Sequence, residues 1–103
     1  MHQIFIRCIL MDPGAFYVYA IVSMKDNRIY VGISRNVDKR VIEHNDRKIF
    51  STKAFIPWLL FYSECIGNSA EARKKEKYFK SASGKRKLRK ILYRLNSGSL
   101  PAC

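Results

Sequence analysis

The chain has 103 residues, 48% of them hydrophobic, and its 20 lysine and arginine residues against 8 acidic ones give a formal net charge of +12. A chain of this length can bury one core and is too short for two domains. So large a charge repels itself in the compact state and indicates a polyanionic partner. Composition leaves open nucleic acid, an acidic membrane surface and an acidic protein.

The three cysteines, Cys8, Cys65 and Cys103, are scattered and form no CxxC pair. They predict neither a zinc site nor a disulfide framework and are typical of a reducing compartment. The short apolar run near the start contains Arg7 and lacks a small-residue cleavage pattern. No apolar segment approaches the roughly 20 residues that span a bilayer. We therefore expect a cytoplasmic protein that does not enter a membrane.

The first regular pattern is a hairpin. Residues 16–23 are aromatic or β-branched with little charge, and residues 29–33 resume that pattern after the polar turn `KDNR`, which predicts two paired strands. Because side chains alternate across a strand, Tyr17 and Tyr19 share one face and the aliphatic residues between them share the other. Tyr30 joins the tyrosines if the hairpin register pairs it suitably.

A helix is predicted after the hairpin. Asn36 is a good N-cap for a helix of about ten residues that ends near Asn45. Arg40 and His44 lie one turn apart on one side of this helix. The polar, mixed segment 46–56 predicts a loop.

The second half predicts a third strand and a second helix. Residues 58–63 suit a strand, with residues 65–67 as its exit. Asn68, with Glu71 three residues later, suits the start of a helix that runs to about Lys80.

On that second helix, Ala72 and Phe79 define the inward face and Glu76 projects between them. A carboxylate at such a position is costly unless something pairs with it. The segment `SASG` then predicts a break, and leucine and isoleucine at helical spacing predict a third helix from Lys85 to about Asn96.

These elements predict an α+β protein with a small, mainly antiparallel three-stranded sheet flanked by three helices. We expect an N-terminal extension over residues 1–15, a single domain over residues 16–96 and a C-terminal tail over residues 97–103.

The polar residues of the elements suit phosphodiester cleavage. That reaction needs a base near the attacking water, cations that stabilise the developing charge, and a metal or acid at the leaving oxygen. Tyrosine hydroxyls, Arg40, His44 and Glu76 are residues of these types. Magnesium keeps several waters, so one inward glutamate suffices to hold it.

In order and spacing these residues resemble the GIY-YIG endonuclease domain. The first triplet of that family corresponds to residues 18–20 (`VYA`) and the second to residues 30–32 (`YVG`). Arg40, His44 and Glu76 fall on its arginine, histidine and metal-binding glutamate. The segment `TKAFIPWLLFYSE` is similar to the small stand-alone members. The resemblance extends from about Phe16 to Leu92.

The resemblance implies a one-metal hydrolysis with Mg²⁺ or Mn²⁺. Tyr19 would act as general base or orient the water, and Tyr30 would hold that water or the phosphate. Arg40 would stabilise the developing charge, and His44 would assist proton transfer or bind phosphate. Glu76 would hold the metal ion. A tyrosine with an ordinary pKa near 10 is a weak base at neutral pH, so we expect Arg40 or the metal to favour its phenolate.

The sequence departs from the family pattern at two positions. The first triplet lacks its glycine, and Ile33 stands where the excision-repair branch has a lysine. One phosphate contact of that branch is therefore absent here.

DNA is the expected substrate, as duplex, branched or nicked molecules, with RNA also open. Gly32 suits a close backbone approach or a bulge. The expected DNA contacts are basic residues of the first helix, the loop, and the last two helices: Lys39, Lys53, Lys80, Lys85, Arg86 and Lys87.

Two rival interpretations remain open. The protein could be a non-catalytic, basic nucleic-acid-binding module, in which the tyrosines only pack and Glu76 only pairs with Lys80 one turn away. It could instead have a structural role on an anionic surface. An inward carboxylate favours the nuclease, because a pure binder gains nothing from it beside bound phosphate.

Overall fold

The hairpin forms the centre and one edge of the sheet. The computed structural model of the chain describes residues 14–98, with side chains to residue 96. Strand β1 is Phe16–Ser23 and strand β2 is Ile29–Ser34, paired antiparallel. In their register Tyr19 faces Gly32 and Ile21 faces Tyr30. Directly paired residues lie on the same face of a sheet, and Ile21 and Tyr19 share a face of β1. Tyr30 therefore lies on the same face as Tyr19, which the sequence had left to the hairpin register.

The third strand, β3, is Trp58–Gly67 and pairs antiparallel with β1 on the side away from β2. The strand order β2-β1-β3 makes β1 central. Extension of β3 to Gly67 corrects the expectation that residues 65–67 are an exit. These residues stay in the ladder because Cys65 and Gly67 still pair with the first residues of β1.

The two faces of the sheet bury different side chains. One, the aliphatic face, belongs to a cluster of buried apolar residues: Val18, Ala20, Val22, Ile29, Val31, Phe61, Phe79 and Leu88. The other, the tyrosine face, belongs to a second cluster: Tyr17, Tyr19, Ile21, Val37 and Trp58, with Tyr30 partly buried against it. Because side chains alternate between the two faces along β1, this strand contributes residues to both cores.

Helices α1 and α2 begin where the asparagines predicted them. Helix α1 is Val37–Asn45, and the Asn36 side chain accepts a hydrogen bond from the Lys39 amide at 3.1 Å. Helix α2 is Ser69–Lys80, capped by Asn68. Val37 packs α1 on the tyrosine face, whereas Phe79 packs α2 on the aliphatic face.

Helix α3 is Ala82–Tyr93 and begins three residues before the predicted start at Lys85. The predicted break is confined to Ser81, whose hydroxyl caps α3 by accepting from the Gly84 amide at 3.2 Å. Gly84 lies inside the helix because a Cβ there would come within 2.1 Å of the Tyr78 carbonyl oxygen. A tight α2–α3 corner therefore requires this glycine. A short π-helical segment, Arg94–Gly98, follows.

The α+β architecture, with its three-stranded antiparallel sheet and three helices, is confirmed. The segment predicted as a loop contains a 3₁₀ helix at Lys53–Phe55. Cys65 is disulfide-bonded, which the scattered cysteines of the sequence did not predict. The predicted N-terminal extension over residues 1–15 and the predicted C-terminal tail over residues 97–103 lie largely outside the described residues. No helix within the described range is long and apolar enough to cross a membrane.

Candidate active site

Tyr19 lies at the centre of the tyrosine face and is 1% exposed. Its partner on the edge strand is Gly32, and a Cβ added at that glycine would come within 2.7 Å of the Tyr19 hydroxyl oxygen. Gly32, the last residue of the second triplet, therefore leaves room for Tyr19, the tyrosine of the first triplet. This differs from the substrate approach or bulge that the sequence suggested for Gly32.

A chain of hydrogen bonds leads from Tyr19 into the protein. The Tyr19 hydroxyl lies 2.8 Å from His44 Nε2, and His44 Nδ1 lies 2.8 Å from Thr52 Oγ1. The Thr52 hydroxyl donates to the Ile49 carbonyl at 3.3 Å. Since its one hydrogen is used there, Thr52 accepts from His44 Nδ1–H. His44 Nε2 is then the acceptor, and Tyr19 donates its proton to it.

Burial and charge keep this histidine neutral. His44 is 0% exposed, and burial together with the positive charge of Arg40 lowers its pKa to about 4. Neutral imidazole can accept the Tyr19 proton, whereas imidazolium cannot. The expectation that His44 could bind phosphate is wrong, because its ring is inaccessible and both nitrogens are already engaged. Proton transfer stays as its predicted role.

The pKa of Tyr19 is raised. Burial is the largest cause, and the neighbouring Tyr30 adds to it. The Arg40 guanidinium acts in the opposite direction, both as a hydrogen-bond donor to Tyr19 and as a positive charge. Arg40 therefore favours the phenolate as expected, but burial outweighs it and Tyr19 stays protonated.

Tyr30 is the more accessible tyrosine of the pair. It is partly buried, and its ring packs edge-on against His44 with centroids 4.9 Å apart. Its centroid lies 6.4 Å from that of Tyr19 and 6.3 Å from that of Trp58. These contacts hold the ring over the buried relay, so a ligand at the surface meets Tyr30 before Tyr19.

Arg40 lies at the rim of the site on α1. Its side chain is 40% exposed, and Nη1 donates to Glu43 Oε1 at 3.1 Å. Burial acts against the charged form, but the hydrogen bonds to Glu43 and Tyr19 raise the pKa of Arg40. Beside it an open groove of about 340 Å³ is lined by residues from the end of β2 and from α1: Ile33, Ser34, Arg35, Asn36, Lys39, Arg40 and Glu43.

Glu76 comes to the site from the other side of the sheet. Helix α2 packs on the aliphatic face and also contacts the edge strand β2. The Glu76 side chain is 22% exposed, and its Oε2 accepts from Lys80 Nζ at 3.2 Å. Its negative charge is one cause of the raised pKa of Tyr19. The carboxylate is thus both paired with Lys80 and within electrostatic reach of the tyrosine.

The donor set around Glu76 fits a lightly held, hard divalent ion. Among residues 14–98, no three His, Cys, Asp or Glu side chains converge, and His44 has no free nitrogen. The Lys80 ion pair engages Oε2 and leaves Oε1 available. Mg²⁺ is commonly held by one or two carboxylates with several waters, so Glu76 alone is an adequate protein ligand.

The predicted DNA contacts fall into four places. Lys39 lines the groove beside Arg40, and Lys80 pairs with Glu76. Lys53 lines a second basic pocket with Lys25 and Arg47.

The three remaining predicted contacts lie in the first half of α3: Lys85, Arg86 and Lys87. Within residues 14–98, no hydrogen bond or ion pair joins them to the tyrosine face. The structure thus brings Tyr19, Tyr30, Arg40 and His44 together, with Lys39 in the adjacent groove, whereas Glu76 is linked to the site only by the effect of its charge on the pKa of Tyr19.

Two residues of the site were not singled out from the sequence. Thr52 orients His44 from a segment that was predicted to be an unstructured loop. Glu43 pairs with Arg40 from three positions along α1. The i,i+3 spacing was the available signal for Glu43, whereas no local pattern links Thr52 to His44.

Comparison with known proteins identifies the family. Residues 15–90 match the GIY-YIG catalytic domain. A UPF0213 protein of Bacillus licheniformis is 39% identical over 82 residues, which cover 79% of this chain and 84% of the relative. One from Staphylococcus haemolyticus is 40% identical over 76 residues, covering 73% and 92%.

UPF0213 protein YazA of Bacillus subtilis is 36% identical over 78 residues, covering 75% of this chain and 78% of the relative. No solved structure matches the chain. The names of these relatives state no activity. The family match over most of the chain shows that the protein belongs to the GIY-YIG catalytic domain family.

Proposed function

We propose that the protein is a divalent-metal-dependent endonuclease that hydrolyses DNA phosphodiesters. One observation carries this proposal. The Tyr19 hydroxyl donates to a buried, neutral His44 whose other nitrogen is fixed by Thr52, and this chain lies under the Arg40 guanidinium. Any buried tyrosine hydroxyl needs an acceptor, but an acceptor that is a neutral imidazole with a fixed tautomer can also take up its proton.

The relay gives Tyr19 a way to act as a base although its pKa is raised. As the Tyr19 proton moves to His44 Nε2, the phenol oxygen can accept a proton from the attacking water. No isolated phenolate has to form in the buried site; the charge that forms instead is an imidazolium at His44, which burial and Arg40 disfavour. The transfer therefore has to accompany attack on the phosphate, where the water gives up its proton and the developing negative charge offsets the imidazolium. The Nδ1–H bond to Thr52 keeps the imidazole in the accepting tautomer throughout.

Tyr30 and Arg40 would meet the substrate. They are more exposed than Tyr19, and both are close enough to it to affect its pKa. Tyr30 would hold the water or the phosphate by its own hydroxyl. Arg40 would stabilise negative charge that develops on the phosphate, an effect that is strong where water is excluded.

Glu76 would hold the Mg²⁺ or Mn²⁺ ion. A bound divalent ion supplies Lewis-acid stabilisation of the leaving 3′ oxygen. The chain itself contributes the carboxylate, and Lys80 keeps that side chain near the site in the absence of the ion.

The substrate preference would be weak in sequence or directed by DNA structure. The elements that surround the site are those of the catalytic domain, and the net charge of +12 supplies contacts to phosphates that do not read bases. Lys39 and Lys80 would contact the strand next to the scissile phosphate, and the remaining predicted contacts, Lys53, Lys85, Arg86 and Lys87, would bind further along it. A cytoplasmic role in DNA repair or recombination is part of the same proposal.

A nicking panel tests the proposal. Supercoiled, nicked, branched and single-stranded DNA and an RNA of equal length are incubated with the protein in Mg²⁺, in Mn²⁺ and in EDTA. We expect cleavage of at least one DNA substrate in either metal and none in EDTA. Cleavage that persists in EDTA would contradict the metal dependence, and cleavage of RNA alone would contradict the substrate class.

Glu76→Ala separates the metal role from folding. We expect cleavage to be lost while the melting temperature and DNA affinity change little, because an exposed i,i+4 pair contributes only about 0.3 to 0.5 kcal/mol. Glu71→Ala is the matched control, since Glu71 also pairs with a lysine on α2, at 3.6 Å from Lys74. A Glu76→Ala protein that still turns over would remove the metal assignment.

The second candidate is a nucleic-acid-binding module that does not cut. The high net charge favours it as much as it favours a nuclease. Binding of DNA with a steep salt dependence, combined with no cleavage across the whole panel, would decide for this alternative.

A further inference from the structure

The Arg40 guanidinium is held from two sides. Nη1 donates to Glu43 Oε1 at 3.1 Å, and on its other side the guanidinium is close enough to Tyr19 to act against the rise of the Tyr19 pKa. The Glu43 side chain is only 28% exposed, less than the 40% of its partner. An arginine side chain loses rotamer entropy when it is fixed in one orientation. A second anchor therefore determines where this guanidinium rests.

The surroundings make Glu43 unusual. The groove beside Arg40 is also lined by the cations Arg35 and Lys39, and Glu43 is the one acidic side chain among the residues that line it. A groove meant only to attract phosphate gains nothing from a carboxylate, because like charges repel. The negative charge of Glu43 also acts on His44, where it favours the protonated ring. Its position thus serves the relay and not the attraction of DNA.

We propose that Glu43 is a positioning residue that holds the Arg40 guanidinium against Tyr19 in the orientation needed for cleavage. This inference rests on the proposed nuclease function. Glu43 touches neither the phosphate nor the water. It acts through Arg40, which it keeps pointed at the tyrosine until the substrate arrives.

The kinetic test compares variants at Glu43 with and without Arg40. Glu43→Ala should lower kcat about tenfold, with KM changed less than about threefold, because misplacing a stabilising group costs rate and not ground-state binding. Glu43→Gln, which keeps the acceptor oxygen, should recover most of the rate. Glu71→Ala, which removes one negative charge from α2, should leave kcat unchanged and so controls for net charge.

A double-mutant cycle decides whether the effect passes through Arg40. In an Arg40→Ala background, Glu43→Ala should change kcat less than about twofold, since coupled residues are not additive. The same loss with and without Arg40 would overturn the proposal, and so would an unchanged kcat in the single variant.

A measurement that needs no cleavage keeps the inference separate from the proposed function. The ¹⁵Nε order parameter of Arg40, measured by NMR on the free protein, should fall in Glu43→Ala and not in Glu71→Ala. If wild-type protein cuts no DNA but this difference is seen, the nuclease proposal fails and the positioning contact stands. An order parameter that does not change in Glu43→Ala would overturn the positioning role whether or not the protein cleaves.

Discussion

The two faces of the sheet use the same strand for different purposes. On the aliphatic face, Val18 and Ala20 meet Phe79 and Leu88 in a cluster of buried apolar side chains. On the tyrosine face, alternate residues of β1 meet a buried histidine that is hydrogen-bonded on both nitrogens. One face is stabilised mainly by apolar packing, and the other includes a buried chain of hydrogen-bonded polar groups.

The difference separates stability from chemistry. A buried chain of hydrogen bonds is compatible with a stable fold only if each donor has an acceptor, because an unsatisfied buried group costs about 1 to 3 kcal/mol. The aliphatic face carries no such requirement. Substitutions on that face should therefore change unfolding first, and substitutions on the tyrosine face should change catalysis and its pH dependence.

The largest effect on stability is expected from Phe79→Ala. Phe79 is 0% exposed, and a truncation of this size in a core costs about 3 to 5 kcal/mol. Urea unfolding followed by circular dichroism measures the change. Phe50→Ala is the matched control because Phe50 is 83% exposed, and it should cost less than about 1 kcal/mol. Equal losses at the two positions would contradict the assignment of the aliphatic core.

The pH dependence of stability should depend on His44. Its pKa is about 4 in the folded protein and 6.5 when unperturbed, so between these values the unfolded chain binds more protons. Stability therefore falls as the pH drops from about 6.5 to about 4, by up to about 3 kcal/mol. His44→Gln should flatten this dependence, whereas His2→Gln should not. Thermal melts across that range test it, and an equal slope in His44→Gln and wild type would contradict a buried neutral histidine.

Thr52→Val should disturb the relay from its far end. Valine is close to threonine in shape but cannot accept the His44 Nδ1–H, so we expect a loss of about 1 to 3 kcal/mol in stability together with a lower kcat. Thr52→Ser keeps the hydroxyl and should retain most of the activity. If Val and Ser variants behave alike, the hydroxyl does not orient the imidazole.

Gly32→Ala should have the smallest effect on stability and a clear one on rate. The new Cβ would push against the Tyr19 hydroxyl, and the overpacking cost is partly offset by the reduced chain entropy, leaving about 1 kcal/mol. Because the hydroxyl shifts from His44, kcat should fall. In a Tyr19→Phe background the same change should lower kcat no further, and an additive loss would separate Gly32 from the relay.

Local patterns predicted most of the fold. The Asn36 and Asn68 caps, the alternation of β1 and the hairpin turn are all determined by neighbours in sequence, and each is confirmed. The start of α3 was misplaced because Ser and Gly usually break helices. There Gly84 is required by contact with the end of α2, which no local pattern reveals.

The sequence predicted which residues belong to the site better than it predicted how they are arranged. Order and spacing selected Tyr19, Arg40 and His44, but the sequence could not show that His44 is inaccessible and satisfied on both nitrogens. That depends on Thr52, which reaches it from a separate segment. Nor could the sequence show whether burial or the charge of Arg40 has the larger effect on the pKa of Tyr19, because both effects depend on the fold. The roles assigned to these residues and to Glu76 stay predictions until cleavage is measured.

The most direct test compares two tyrosines on opposite faces of the sheet. Tyr19 and Tyr62 each have a raised pKa, caused mainly by burial, and each hydroxyl is hydrogen-bonded, to His44 and to Glu64 respectively. The measurement is kcat for metal-dependent DNA cleavage by Tyr19→Phe and by Tyr62→Phe. We predict a loss of at least about 100-fold for Tyr19→Phe and a change within about twofold for Tyr62→Phe. A wild-type rate in Tyr19→Phe, or equal losses in the two variants, would contradict the account.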